Sequence, residues 1–319
     1  MAGPYKIVFL SFFGKMRYNI SNYHCDKGMQ RMIELVVNPA AGGGRGVGIA
    51  RQTAKKLEAL GHEYVLHTTD HPGHATEIAR RAAQRGSETV IAFGGDGTVH
   101  ETAAGLRGTK TALGIIPSGT GNDFIKTAGI PSKWEEALDF ILSHPARPVN
   151  SGMMNDQFFL NECGTGFDVL ALDYAAKAKK YVRGLLPYLY GVICSIFTYK
   201  PYEMHIEIGD DVVLDGKYLV CAIGNGRFIG GGIPITPGAE LTDGMFDVLV
   251  VDAVPNWVIP FYLPSLMMGT LFKKKPAHLY HAKSVRLSCD GMRLNMDGEI
   301  LPLPKAHFVC EEEQLLLHW

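Results

Sequence analysis

Two rhythms of apolar residues divide the chain. Up to about residue 146, short strand-like runs alternate with segments of helical spacing. Met32-Ile-Glu-Leu-Val-Val-Asn38, Glu63–Thr68, Thr89–Phe93 and Ala112–Pro117 have the length and content of buried strands. Between them Ile49, Thr53, Leu57 and Leu60 recur on one helical face before Gly61. A second helix spans Ala75–Arg85 before Gly86, and Val99, Thr102, Ala103 and Leu106 mark a third. Such βαβα alternation predicts a parallel sheet covered on both faces. Past residue 147 two helical stretches fall within 166–199, followed by strand-like segments near 202–208, 217–225, 245–251 and 283–296. Gly209-Asp-Asp211 and Asp215-Gly216 read as turns between them, which predicts antiparallel pairing. The predicted class is α/β: a doubly wound parallel sheet over 32–146, then a β-rich, sandwich-like antiparallel domain over 147–304. Residues 305–319 form a last segment, whose strand-like Glu313–His318 is a candidate to return to the first domain.

Composition mainly excludes. A chain of 319 residues suffices for two domains. With 31 basic and 32 acidic residues the net charge is −1, so no global pull toward nucleic acid follows. The cysteines (Cys25, Cys163, Cys194, Cys221, Cys289, Cys310) are scattered singly, which predicts reduced thiols in a cytoplasmic protein, not a disulfide framework or zinc site. His62-Glu63 with His67 misses the H-E-x-x-H spacing by one residue and falls in a predicted strand. Residues 1–31 stand apart. Their apolar Ile7–Phe13 is too short to span a bilayer and no A-x-A-like cleavage site follows, so they are expected to be an extension outside the core. Ala253–Phe272 is uncharged and long enough to span, but Pro255, Pro260 and Pro264 interrupt it; a core or surface helix starting after a proline is expected. Lys273-Lys-Lys275 follows it, while Lys177, Lys179, Lys180 and Arg183 precede the apolar Leu185–Tyr199. Those charges fit docking on an anionic leaflet or plain solvation beside core helices.

Candidate chemistry gathers at strand ends. Asn38-Pro-Ala-Ala-Gly-Gly-Gly-Arg-Gly46, Gly94-Gly-Asp-Gly-Thr98 and Ser118-Gly-Thr-Gly-Asn-Asp123 follow the first, third and fourth predicted strands. Ligands bind at that edge of open α/β sheets. Glycines let the backbone approach a ligand, and the helix start behind Gly94–Thr98 offers unpaired N–H groups and a positive dipole end suited to phosphate. Asp96 repels a bare phosphate but fits a divalent cation placed between them. One such loop alone can be a tight turn with no ligand; three along one edge resemble a triphosphate pocket. The chain has no G-x-x-x-x-G-K-[ST], and Ile49 stands where Gly44 and Gly46 would need a third glycine for G-x-G-x-x-G. Protein-kinase catalytic and D-F-G motifs are absent too.

These motifs carry a resemblance. Asn38-Pro-Ala-Ala-Gly42, Gly94-Gly-Asp-Gly-Thr-Val-His-Glu101 and Pro117-Ser-Gly-Thr-Gly-Asn-Asp-Phe124 resemble the ordered motifs of the soluble bacterial diacylglycerol kinase family. That family shares its catalytic fold with sphingosine and ceramide kinases, and more distantly with NAD kinases and phosphofructokinases. The resemblance continues through Gly224-Asn-Gly226, Gly230-Gly-Gly232, Pro237-Gly-Ala-Glu-Leu-Thr-Asp-Gly-Met-Phe-Asp247 and Asp297-Gly-Glu299. It covers about residues 32–319.

The resemblance implies roles. Asn38, Pro39, Ala40, Ala41, Gly42 and Thr69, the run Gly94, Gly95, Asp96, Gly97, Thr98, Val99, His100 and Glu101, and Thr120 would hold ATP, with Asp96 near its magnesium. A second, structural magnesium would take Glu240, Asp243 and the carbonyl of Met245; by itself Thr242-Asp-Gly244 reads as a β-turn. Asp297-Gly-Glu299 alone reads as a hairpin turn. The resemblance makes its acidic pair catalytic, with Glu299 or Asp297 as the base. Asp168 matches the family pattern and reads as a helix-start carboxylate. The implied activity is an ATP- and Mg²⁺-dependent transfer of phosphate to a membrane lipid hydroxyl, diacylglycerol to phosphatidate foremost. It would take place in the cytoplasm with peripheral contact at the inner face of the membrane, without nucleic acid and with a homodimer left open. Two alternatives keep the same loops. One is a kinase of phosphatidylglycerol, a sphingosine- or ceramide-like lipid, or a soluble acceptor such as NAD. The other is a non-catalytic nucleotide-binding regulator.

Overall fold

The computed structural model describes residues 32–178, 181 and 186–319. The expected N-terminal extension, and Lys179, Lys180 and Arg183, lie outside them. Parallel strands come first: β1 (Ile33–Val37), α1 (Arg45–Ala59), β2 (Tyr64–Thr68), α2 (His74–Gln84), β3 (Thr89–Gly94), α3 (Asp96–Leu106), β4 (Ala112–Pro117), α4 (Asp123–Thr127) and α5 (Trp134–Ser143). Their order in the sheet is β2-β1-β3-β4, all parallel. Every residue of β1, β3 and β4 is buried, as expected of strands covered by helices on both faces. Helix packing is close: a Cβ on Gly105 of α3 would lie 2.5 Å from the Thr76 carbonyl oxygen of α2.

The second region is antiparallel. It runs β5 (Ala146–Met154), β6 (Gln157–Phe159), β7 (Glu162–Gly166), α6 (Phe167–Ala178), α7 (Leu186–Thr198), β8 (Tyr202–Ile208), β9 (Val212–Gly224), β10 (Phe228–Ile229) and β11 (Ile233–Pro234). Then follow β12 (Phe246–Asp252), α8 (Ile259–Met267), β13 (Ala277–Ala282), β14 (Ser284–Ser288), β15 (Arg293–Met296), β16 (Glu299–Pro302) and β17 (Lys305–His318). The long β17 links the regions: it pairs antiparallel with β5 and β14, and at Leu317 runs parallel to Leu113 of β4. The sheet path is therefore continuous, β16-β15-β7-β9-β8-β14-β17-β4-β3-β1-β2. One core fills the parallel region, a second lies among the antiparallel strands, and a third packs α6, α7 and α8 on β9 and β12.

Two readings of the second region change. Asp215-Gly216 is no turn, because β9 passes straight through it and Asp215 sits opposite His205 of β8, with Oδ1 2.7 Å from His205 Nδ1. The turn is made by Gly209, whose φ of 59° suits glycine. The single segment 283–296 is two strands on different partners, β14 on β8 and β15 on β7. The stretch 253–272 folds as a short 3-10 turn, α8 and the start of a second 3-10 turn, with Pro260 in the first turn of α8, where a missing N–H costs nothing. No helix among the described residues is long and apolar enough to cross a membrane, and their five cysteines are unpaired.

Candidate active site

Three loops meet at the carboxyl edge of the parallel strands. Asn38, at the end of β1, donates Nδ2 to Thr98 Oγ1 (3.1 Å), while its own Oδ1 accepts the Ala40 N–H (2.9 Å). Gly42, at φ 58°, sits so near the third loop that a Cβ would fall 1.9 Å from the Ser118 carbonyl oxygen. Gly119 and Gly95 touch through bare backbone, since a Cβ on Gly119 would lie 2.4 Å from Gly95 Cα. Sequence spacing alone put these glycines on one edge; the structure shows that they also pack on one another. Thr69, after β2, is buried and gives its N–H to Val37 (2.9 Å). Thr120 is exposed at the tip of the third loop.

Asp96 clamps the loops. Its carboxylate accepts the N–H groups of Asn122 (2.8 Å) and Asp123 (2.7 Å), one on each oxygen. Burial and the Asp123 charge still raise it above the ordinary carboxylate range. A cation at Asp96 therefore has only the remaining lone pairs, and fixing the third loop is the role the geometry shows. The first turn of α3 leaves N–H groups of Asp96, Gly97 and Thr98 without intrahelical acceptors, as any helix start does. Val99 is buried in the core, and Glu101 accepts the Ala75 N–H (3.2 Å), which ties α3 to α2.

The β-rich region reaches this edge at two points. Asp123 Oδ2 accepts the Gly231 N–H (2.8 Å) from the glycine run, while Lys126 Nζ donates to Asp123 Oδ1 (3.1 Å). At the other point His100 Nδ1 lies 2.7 Å from Asp297 Oδ2. Asp297 and Gly298, at φ 47° and 97°, form the two-residue turn between β15 and β16, a conformation that Asp-Gly favours. The Asp297 carboxylate also accepts N–H groups from Leu160 (2.7 Å), Asn161 (2.9 Å) and Glu162 (2.9 Å). Burial pushes its pKa up, but the His100 bond and charge and these N–H groups bring it below the ordinary value. His100 shifts toward its charged form: burial lowers its pKa, and Asp297, Glu299 and Glu101 more than compensate. Of the expected acidic pair, Asp297 is thus saturated by donors and held ionised. Glu299, the first residue of β16, is exposed beside it.

The expected cation loop has mixed surroundings. Asp243 Oδ1 accepts from the Met245 N–H (3.0 Å) and from Asn150 Nδ2 (3.2 Å), and the Glu240 carbonyl faces the same amide (3.4 Å). Glu240, Asp243 and Met245 are all exposed. Behind them Asp247 is buried with Oδ2 unpartnered, and the Asp243 charge helps raise its pKa after burial. An orphaned oxygen beside exposed oxygen donors fits a hard cation.

Sequence reading named Asp168 as a helix-start carboxylate but missed the cluster it forms with Glu162. The buried carboxylates of Glu162 and Asp168 converge over Gly164, where a Cβ would lie 2.5 Å from Glu162 Oε1 and 2.9 Å from Asp168 Oδ2. Glu162 Oε1 and both Asp168 oxygens lack partners; only Glu162 Oε2 accepts, from Asn295 (3.1 Å). For Glu162 the signal was the glycine-rich run Glu162–Gly166 ahead of the helix that Asp168 starts.

The diacylglycerol kinase catalytic domain family model matches residues 32–154, and that of the YegS C-terminal NAD kinase beta sandwich-like domain matches 161–316. A diacylglycerol kinase of Bacillus subtilis (strain 168) is 31% identical over 282 residues, 86% of this chain and 92% of its own. A protein of Cronobacter sakazakii (strain ATCC BAA-894) named "Probable lipid kinase YegS-like" is 34% identical over 268 residues, 82% of this chain and 87% of its own. Among solved structures, a candidate diacylglycerol kinase from Bacillus anthracis str. Sterne superposes with a TM-score of 0.75 at 27% identity. That match covers 92% of this chain and 98% of its own.

Proposed function

The chain belongs to the diacylglycerol kinase family of lipid kinases, and from that premise we propose that it phosphorylates a membrane lipid hydroxyl with ATP, diacylglycerol first, giving phosphatidate. The supporting observation is the His100–Asp297 contact, which joins the three-loop edge to the hairpin that bears Glu299. Glycine loops and the α3 N-terminus suit the polyphosphate, because their N–H groups face it and no Cβ intervenes. Asp96 and Asp123 keep those loops in register. Asp297 orients His100 and favours its imidazolium, a positive group next to the negative charge of the transferring phosphoryl. Glu299 carries no such burden. A lipid hydroxyl has a pKa far above 7, so its proton must be accepted or positioned during transfer, and exposed Glu299 is the group for that role. Bound Mg²⁺ would supply charge neutralisation on the phosphates. The oxygens of Glu240, Asp243 and Met245 would hold a structural cation.

The acceptor would enter from the cytoplasmic face of a membrane. Kinship with YegS-like lipid kinases favours a second reading, in which another lipid hydroxyl such as that of phosphatidylglycerol is the acceptor. Labelled ATP offered with diacylglycerol, phosphatidylglycerol and NAD separates them. Labelled phosphatidate is the expected product, label on another acceptor would redirect the reading, and ATP binding without label in any acceptor would make the protein a regulator.

A further inference from the structure

We propose that the outer face of α7 and α8 is a docking surface that seats on an anionic lipid leaflet. The proposal rests on the lipid-kinase reading and adds to it the surface of contact. From Leu186 to Tyr199 the sequence has no charged residue. The inner side of α7 lies tight on α6: a Cβ on Gly191 would come 2.2 Å from the Ala171 carbonyl oxygen. The outer side presents Leu186, Leu189, Tyr190, Ile193 and Phe197, one stripe at i, i+3, i+4, i+7 and i+11, with Phe197 81% exposed. A helix that is apolar all round is not stable bare in water. The stripe continues onto the next element. Asn256 Nδ2 donates to the Tyr199 carbonyl (3.0 Å), tying the end of α7 to the turn before α8, where Trp257 and then Phe261 stand 72% and 73% exposed. Inner residues of both helices share one core, so these side chains are the outer surface of a single layer.

Charge selects the occupant. Neither 186–202 nor 253–289 contains an Asp or Glu, although the whole chain carries a net −1. Lys177, Lys200, Lys273, Lys274 and Lys275 are exposed, and among the described residues no carboxylate lies within ion-pair reach of any of them. A second copy seated on this face would bring the same unpaired lysines together, because an isologous contact places a patch on itself. An anionic leaflet accepts both features: apolar side chains enter the acyl boundary and lysines meet headgroups. Tyr190 and Trp257 are residue types that favour that interface. The layer also begins at the site, since α6 leaves directly from β7, whose Cys163 pairs with Met296 beside Asp297.

The test is co-sedimentation of the full chain with phosphatidylglycerol–phosphatidylcholine vesicles and with phosphatidylcholine alone. Wild type should pellet with the anionic vesicles and be released as salt shortens the screening length. Phe197→Ser with Trp257→Ser should lower partition about tenfold or more, and Lys273→Gln with Lys274→Gln and Lys275→Gln should remove the anionic preference, with melting unchanged. Brominated phosphatidylglycerol should quench wild-type tryptophan fluorescence, and less so in Trp257→Phe. Variants that bind as wild type, or no quenching, would overturn the proposal. So would a dimer split by the Phe197/Trp257 change while vesicle binding stays. A short-chain, water-dispersed diacylglycerol keeps the two readings apart: docking variants should turn it over at the wild-type rate. No transfer by wild type, with vesicle binding intact, would sink the kinase reading and leave the docking surface standing.

Discussion

Glu34 and Asp168 are both buried carboxylates, one in each region, and their surroundings are opposite. Glu34 in β1 accepts from Arg85 Nη2 (2.8 and 2.6 Å) and Ser87 Oγ (2.6 Å), and meets His67 Nε2 at 2.7 Å. Burial alone would raise it; these partners bring it down to about 2. The Asp168 carboxylate at the start of α6 has no side-chain partner, and burial lifts it to about 6 against the weaker pull of the nearby Val169 and Asp168 N–H groups. Its neighbour Glu162 rises as well, by burial first and the Asp168 charge second. At Glu34 the parallel region thus satisfies a buried charge from within. The antiparallel region keeps unpaired acid next to its site, since the Glu162 N–H is one of the donors on Asp297. Unpaired buried acid lowers stability, and it is tolerated where a site needs it.

That contrast can be broken in four ways. The largest effect belongs to the parallel region, whose loops depend on bare backbone. Gly119→Val forces a side chain into Gly95, and nucleotide binding should fall at least about a hundredfold, measured by calorimetry with ATP. Next, Glu34→Gln removes the partner of Arg85 and should destabilise by on the order of 3 kcal/mol at pH 7. The sign follows from a lowered pKa: that stability is present above about 4.5 and is lost as pH falls toward 2, so urea midpoints of variant and wild type should converge in acid. Asp168→Asn should do the reverse. A raised acid pKa gives stability below about 4 that is lost as pH rises through 6. The amide should therefore gain up to about 2–3 kcal/mol at pH 8 and nothing at pH 4. The smallest effect is Asp243→Ala, which loses the Met245 and Asn150 bonds, about 1 kcal/mol each at most. A chelator should lower the wild-type melting temperature and leave that of Asp243→Ala unmoved.

Legibility followed the same division. In the parallel region strand runs, glycine stops and loop positions were all local, so β4 is found at Ala112–Pro117 as read and β3 at Thr89–Gly94. Leu60 alone on the first helical face turned outward, because α1 ends at Ala59. In the antiparallel region the strands were visible but their partners were not. Asp215-Gly216 looked like a turn because nothing local shows that His205 faces it across β8. The motif run around Asp96 was plain, yet its use as a clamp on Asn122 and Asp123 depends on two loops meeting in space. His100 was read as one more nucleotide residue, and its bond to Asp297 spans 197 positions. The turn chemistry of Asp297-Gly298 was legible. That Asp297 points inward and Glu299 outward was not.

The central claim is that Asp297 anchors and Glu299 accepts the proton. Glu299→Gln is the direct test, with kcat on diacylglycerol measured beside ATP affinity and melting temperature. Glu299 is exposed, so fold and ATP binding should hold while kcat drops by about 10²–10⁴. A Glu299→Gln enzyme that keeps kcat within about threefold of wild type would contradict the account and leave the proton to another group along the loops.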